Sequence, residues 1–175
     1  MATTFIVEDG SGYENSNAFL TVEEADQIIE NYGNSAVWSA ALKTKKEDAI
    51  RQATRYMNTA YRWKGYKVYV DQNLQFPRYE CYDEDDNYVD HETIPEKVKE
   101  ACAYLALKVV EGVILLEDVE STERIKRTKD VIGPLTEEIE YVNGDVPGRE
   151  FQIADRLVSP FVTSNGLLTT DLERG

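Results

Sequence analysis

The residues from Thr93 to Leu116 constrain the fold more than any others. Val98, Ala101, Cys102, Leu105, Val109, Val113 and Leu116 recur at helical spacing, and near Leu105–Leu116 the segment is apolar on more than one face. A helix of that kind must be covered by other elements. It predicts a central core helix, opened by Thr93-Ile94-Pro95-Glu96, where proline is tolerated in the first turn. Cys102 on the stripe reads as a small buried hydrophobe.

Two amphipathic helices are available to cover it. Thr21-Val22-Glu23-Glu24 is a capping box, and the helix behind it runs to about Tyr32, with Ala25, Ile28, Ile29 and Tyr32 on one face before Gly33-Asn34 ends it. Thr44-Lys45-Lys46-Glu47 reads as a second capping box. Its helix puts Ala49, Ile50, Ala53, Tyr56, Met57 and Ala60 on one stripe, with Arg51, Arg55 and Asn58 off it. Phe151, Ala154, Leu157 and Val158 predict a short last helix over Phe151–Ser159, stopped by Pro160.

The rest predicts strands and loops. Thr3–Val7 and Tyr66–Val70 read as short strands, and Glu8–Asn17, Phe76-Pro77 and Glu80–Glu92 as loops. Glu123–Ile132 and Glu137–Val142, around Gly133-Pro134, predict a β-hairpin or ribbon. Asn143–Gly148 is a further loop. The expected fold is an α-dominated α+β domain: a small helical bundle with a β-hairpin at about 123–142 and extended terminal arms. One domain over 1–160 and a polar tail over 161–175 are expected.

Charge narrows the function. The 175 residues carry 33 Asp and Glu against 19 Lys and Arg, a formal net charge of −14. Phosphate binding runs on Lys and Arg, so a generic nucleic-acid binder is disfavoured. The charge is unevenly spread. Residues 1–42 hold seven carboxylates and no Lys or Arg. Between 43 and 79, nine cations face Glu47, Asp48 and Asp71, a local +6. Asp83, Glu84, Asp85, Asp86, Asp90 and Glu92, with Glu80, then give 80–92 a local −7 and a candidate acidic surface. Blocks of alternating sign suit contacts with copies of the same chain or with charged partners; interleaved on folding, they make an ordinary mixed surface.

Little in the sequence points to catalysis. One histidine, His91, excludes mechanisms needing two, and Cys81 and Cys102 form no CxxC. Asp83, Asp85 and Asn87 match positions 1, 3 and 5 of an EF-hand loop, but Tyr88 stands where glycine is needed and Ile94 where the bidentate glutamate is needed. Gly10-Ser11-Gly12 lacks the spacing of a P-loop or a dinucleotide site. No catalytic, cofactor or metal residues are assigned, and no enzyme activity or cofactor is expected. No run suits a membrane helix, and Met1–Phe5 has no basic or long apolar stretch, so no secretory signal is expected.

The run Tyr61–Tyr69 interleaves rings with cations. Arg62, Trp63, Lys64, Tyr66 and Lys67, with Arg78 beyond, are the candidate interface or DNA-facing residues. Three readings are open. Rings and cations together suit a single-strand platform. A Trp and Tyr cluster also suits a core with a wet basic rim. Tyr, Trp and Arg equally suit a subunit interface.

The order of segments resembles a tailed-phage family encoded among head and tail morphogenesis genes, whose members are labelled DnaT-like single-stranded-DNA-binding proteins and look like head–tail connector (adaptor) proteins. The resemblance is carried by Phe5–Gly12, Asn17-Ala18-Phe19, Thr21–Asp26, Ala49–Tyr56, Tyr61–Gly65, Gln72–Arg78, Ile94-Pro95 with Val98–Ala101, and Ile125–Leu135 with Ile139-Glu140-Tyr141. It implies a structural virion protein, a homo-oligomeric ring and dodecamer in the neck, assembled in the host cytoplasm. The implied partners are the portal protein, a tail or nozzle protein, and genomic double-stranded DNA that passes without sequence-specific binding. The label implies the alternative, a single-stranded-DNA-binding replication accessory protein. No membrane partner is implied.

Overall fold

The computed structural model describes residues 4–33, 35–115 and 151–163, and the backbone of 125–131 and 136–141. Helix α1 (Val22–Asn31) begins as the capping box requires. The Thr21 hydroxyl accepts from the Glu24 amide at 3.1 Å, and the Glu24 carboxylate accepts from the Thr21 amide at 2.7 Å. Val22, Ala25, Ile28 and Ile29 form its buried face.

A short helix, α2 (Ala36–Ala40), follows with Ser35 as its cap, an element the sequence reading did not anticipate. Helix α3 (Lys43–Ala60) starts one residue before Thr44. The second capping box is therefore not formed: Leu42 occupies the cap position without a side-chain bond. The two-residue connection from α2 sets the start of α3, leaving Thr44 inside the first turn.

Helix α4 (Glu96–Val110) is the centre of the molecule. It runs antiparallel to α3: Lys45 Nζ donates to the Val110 carbonyl at 3.4 Å, and Thr54 Oγ1 meets Cys102 Sγ at 3.5 Å halfway along. Helix α1 is tied to both by Glu24–Lys99 at 2.6 Å and Asp26–Lys46 at 2.8 Å. The apolar pattern had suggested a helix reaching Leu116, but α4 ends earlier. Gly112 N–H donates to Val109 and Val113 N–H to Lys108, the paired bonds of a Schellman motif,. Leu116 lies outside the described residues. Cys102 is fully buried among apolar groups, and burial pushes its thiol up to about 12.

Strands β1 (Tyr66–Lys67) and β2 (Arg78–Tyr79) form one antiparallel pair. Strands β3 (Ile125–Val131) and β4 (Thr136–Tyr141) form the expected hairpin, with Arg127 in register with Glu140 and Lys129 with Glu138. The described part of Thr3–Val7 is reduced to one parallel bridge, Val7 to Ala18. The strand expected over Tyr66–Val70 stops at Lys67. The turn at Gly133-Pro134, the loop Asn143–Gly148 and the tail from 164 onward lie outside the described residues.

Helix α5 (Gln152–Val158) runs into a 3-10 turn, Ser159–Phe161, that holds Pro160. The chain stays packed on the core for at least two residues past Pro160. Phe161 and Val162 are core residues, and Val162 bridges to Trp63. Phe76 sits between Trp63, Phe19 and Phe161 with ring centroids 5.0, 6.4 and 6.4 Å away, each close to edge-to-face. Such pairs contribute about 1 kcal/mol each beyond the burial of their area. Every buried side-chain nitrogen and oxygen among the described residues has a hydrogen-bond partner. The protein is thus an α-dominated α+β fold.

Candidate functional site

The β1–β2 unit is built by backbone accommodation and one buried cation. Gly65 turns the chain into β1 at φ +64°, and a Cβ there would lie 2.0 Å from the Tyr79 carbonyl oxygen, so only glycine fits,. Gln72 is buried inside the loop between the strands. Its amide donates to the carbonyls of Leu74 and Pro77, and its oxygen accepts from the Tyr69 amide. Arg78 closes the unit: its guanidinium donates to the carbonyls of Lys64, Gly65 and Gln75 and to the Gln75 side chain, at 2.7–3.0 Å. Burial lowers the Arg78 pKa.

This changes the reading of the basic, aromatic run. Trp63 is 6% exposed; its Nε1 donates to the Met57 carbonyl, and its ring packs on Tyr61 and Phe76. Arg78 is 7% exposed. Both side chains are turned into the fold of the single chain. The return of Phe161 and Val162 covers Trp63, and the three carbonyls of its own loop claim Arg78. Arg62 and Lys64 are exposed, though the Lys64 ammonium is bonded to the Pro160 carbonyl at 2.8 Å. Lys67 is half-buried and bonded to the Gln72 carbonyl; burial, then the nearby Arg78, lowers its pKa. Tyr66 stays in solvent, with its hydroxyl on Glu80 at 3.3 Å.

What stands exposed instead is a ladder of rings. Tyr66 is in register with Tyr79 across β1–β2, with centroids 5.7 Å apart. His91 stacks on Tyr79 at 4.6 Å and 28°. The Tyr88 hydroxyl is 3.2 Å from His91 Nδ1, and Tyr88 meets Tyr82 edge-on at 5.9 Å. Tyr66, Tyr82 and Tyr88 are each about half exposed, at 54%, 46% and 52%.

Carboxylates rim this ladder. Glu84, Asp85, Asp86, Asp90 and Glu92 are exposed and Asp83 is half-buried. Asp83 accepts from the amides of Asp85 and Asn87 and from the Asn87 side chain; these bonds, led by the Asn87 side chain, hold its carboxyl below the ordinary value of 3.8. Glu84 pairs with Lys97 at 2.5 Å. The residues resembling an EF-hand therefore form a turn closed on itself. Among the described residues no group of three or more His, Cys, Asp or Glu side chains is placed to hold a metal ion, and no described helix is long and apolar enough to cross a membrane.

Tyr79, Tyr82 and Tyr88 were not singled out from sequence, and His91 was noted only as the single histidine. The available signal was Tyr82 and Tyr88 flanking Asp83 and Asn87, a turn that folds back and brings the two tyrosines together as a bridge. A concavity of about 300 Å³ lies between α1 and α2 beside Asp26, Trp38 and Lys46. There the Asp26 carboxylate accepts both Trp38 Nε1–H at 2.7 Å and the Lys46 ammonium, so its polar groups satisfy one another.

No curated protein and no solved structure matches the chain. Residues 3–175 match one family, described as "Putative DnaT-like ssDNA binding protein". That description says nothing of a head–tail connector. With nearly its whole length matched, the chain belongs to this DnaT-like family.

Proposed function

We propose that this chain is a structural protein of the tailed-phage particle. In this reading it is a head–tail adaptor whose copies form a ring, a dodecamer by the resemblance, between the portal and a tail or nozzle protein. Genomic duplex DNA passes through without sequence-specific binding. The role is mechanical rather than catalytic and uses no cofactor, metal or membrane. It is exercised in the virion neck after assembly in the host cytoplasm.

The observation that carries this reading is the inversion of the aromatic, basic run. Trp63 and Arg78 are inside the fold, and the rings left outside are rimmed by carboxylates. A single-strand platform joins stacking rings to a cationic groove; here the rings come with the opposite charge. Such a surface repels phosphate and suits contacts with protein. The β3–β4 hairpin, a sheet of two strands among the described residues, supports the same reading, because a two-stranded hairpin is marginal in water and gains stability from a further partner,.

The second reading, a single-stranded-DNA-binding accessory protein, is favoured by the family description and by the exposed rings. Electron microscopy of the purified protein mixed with its portal separates the two. A ring of copies seated on the portal is the expected result. A protein that stays monomeric beside the portal, and binds labelled oligothymidylate with an affinity that falls steeply with salt, establishes the second reading instead.

A further inference from the structure

The ladder is chemically selective. Tyrosine faces carry negative charge density, and a guanidinium or ammonium over them is attracted. The carboxylates beside the rings attract the same group: Glu80 on the Tyr66 hydroxyl, Asp90 at 3.7 Å from His91, and the exposed Asp85, Asp86 and Glu92. The cation that reaches this loop, Lys97, is already closed on Glu84. The surface is therefore built for a cation that the described loop does not supply.

The chain carries a matching surface elsewhere. The solvent stripe of α3 runs through Lys45, Gln52, Arg55 and Thr59, and Arg62 follows just past its end; all five are exposed. Asp48 on that stripe is paired with Arg51. Arg55 and Arg62 pair with no carboxylate among the described residues. Arginine is the cation best suited to stack on a tyrosine face, because its guanidinium is planar and weakly hydrated.

We propose that the ladder of Tyr66, Tyr79, His91, Tyr88 and Tyr82 is a docking face for the α3 stripe of a second copy of this chain, with Arg55 and Arg62 seated on the rings of Tyr82 and Tyr88. The proposal rests on the reading that copies of the chain assemble, and it names the surfaces that meet. Two different patches per subunit are what a head-to-tail contact requires. The contact joins opposite charges at solvent-exposed positions, so it weakens as salt screens it,.

Sedimentation velocity of the full chain at low and high salt tests this. Wild type self-associates at low salt, and high salt dissolves the assembly. Tyr82→Ser with Tyr88→Ser, and separately Arg55→Glu with Arg62→Glu, each weaken association about tenfold or more. The exposed positions keep the far-ultraviolet dichroism and melting midpoint of wild type, which separates lost contact from lost fold. Asp85→Lys with Glu92→Lys also weakens association, and mixing that variant with the Arg55→Glu, Arg62→Glu variant restores it. Wild type that stays monomeric at every concentration overturns the proposal. So does association that all the variants leave unchanged, or oligothymidylate binding lost in the tyrosine variant while association persists. A ring seen on the portal alongside any of these results preserves the adaptor reading while removing this contact; the absence of a ring together with the expected association does the reverse.

Discussion

Two acidic loops lie against each other in this protein and use their carboxylates in opposite ways. In the loop of residues 8–17, Glu8 is 2% exposed and turned inward. Its two oxygens accept from the amides of Gly10, Gly12 and Tyr13 and from the Ser16 hydroxyl, all within 3.0 Å. In the loop of residues 80–92 the carboxylates lie at the surface, and Asp83 and Asp90 accept main-chain amides of their own turns. Composition does not distinguish the two. The difference is whether unpaired backbone N–H groups converge on a carboxylate. Where they do, the charge becomes a scaffold; where they do not, it stays in solvent.

Substitutions that break the contrast rank in a definite order. Gly10→Ala should have the largest effect. Gly10 sits at φ +103°, and a Cβ there would lie 1.7 Å from the Glu92 carbonyl oxygen, so the two loops would be forced apart. A loss of about 4 kcal/mol is expected, read as a lower denaturant midpoint with an unchanged slope. Glu8→Ala should come next, at about 3 kcal/mol, because it strands several buried donors at once. Glu8→Gln should fall between Glu8→Ala and wild type, since the amide keeps one acceptor oxygen. An equal effect of both would show that the charge of Glu8, and not its acceptor geometry, holds the loop.

The outward loop should respond far less. Asp83→Ala should move the melting midpoint by no more than about 2 °C, while the Asn87 amide, which donates to Asp83 at 2.9 Å, loses its hydrogen-exchange protection. The smallest effect should come from acid. The Asp83 carboxyl is held below its ordinary value, so its contribution is complete above about pH 3.8 and is lost as pH falls through the folded value,. The protection of the Asn87 amide, taken relative to the intrinsic exchange rate at each pH, should therefore hold at neutral pH and fall only below that point,. Loss of that protection near neutrality would mean that another group closes the turn.

How much of this could be read from the chain depends on the range of the interaction. Thr21 and Glu24 are three residues apart, and their capping box formed as written. The stripe of α3 and the core position of α4 depend on period alone, and both appeared. Thr44 and Glu47 have the same local pattern as the first box, yet α2 upstream moved the start of the helix. The sequence left Trp63 open between core and surface and did not place Arg78 inside, for a longer-range reason. What covers Trp63 arrives about a hundred residues later, in Phe161 and Val162, and what satisfies Arg78 is a set of main-chain carbonyls that no residue type announces. The ring ladder depends on the same kind of juxtaposition, since Tyr79 and His91 meet only once β2 and the acidic loop are in place.

Arg78 has one further consequence. Among the described residues its guanidinium is held by peptide dipoles and an amide oxygen rather than by a carboxylate. Mobile ions compete poorly for such short, buried bonds, whereas they screen exposed charge pairs readily. The frame carrying the tyrosines should thus be indifferent to ionic strength even where the surface it presents is not. A salt titration of this protein then becomes a selective reagent, one that acts on whatever the charged surface holds and leaves the architecture inside each molecule in place.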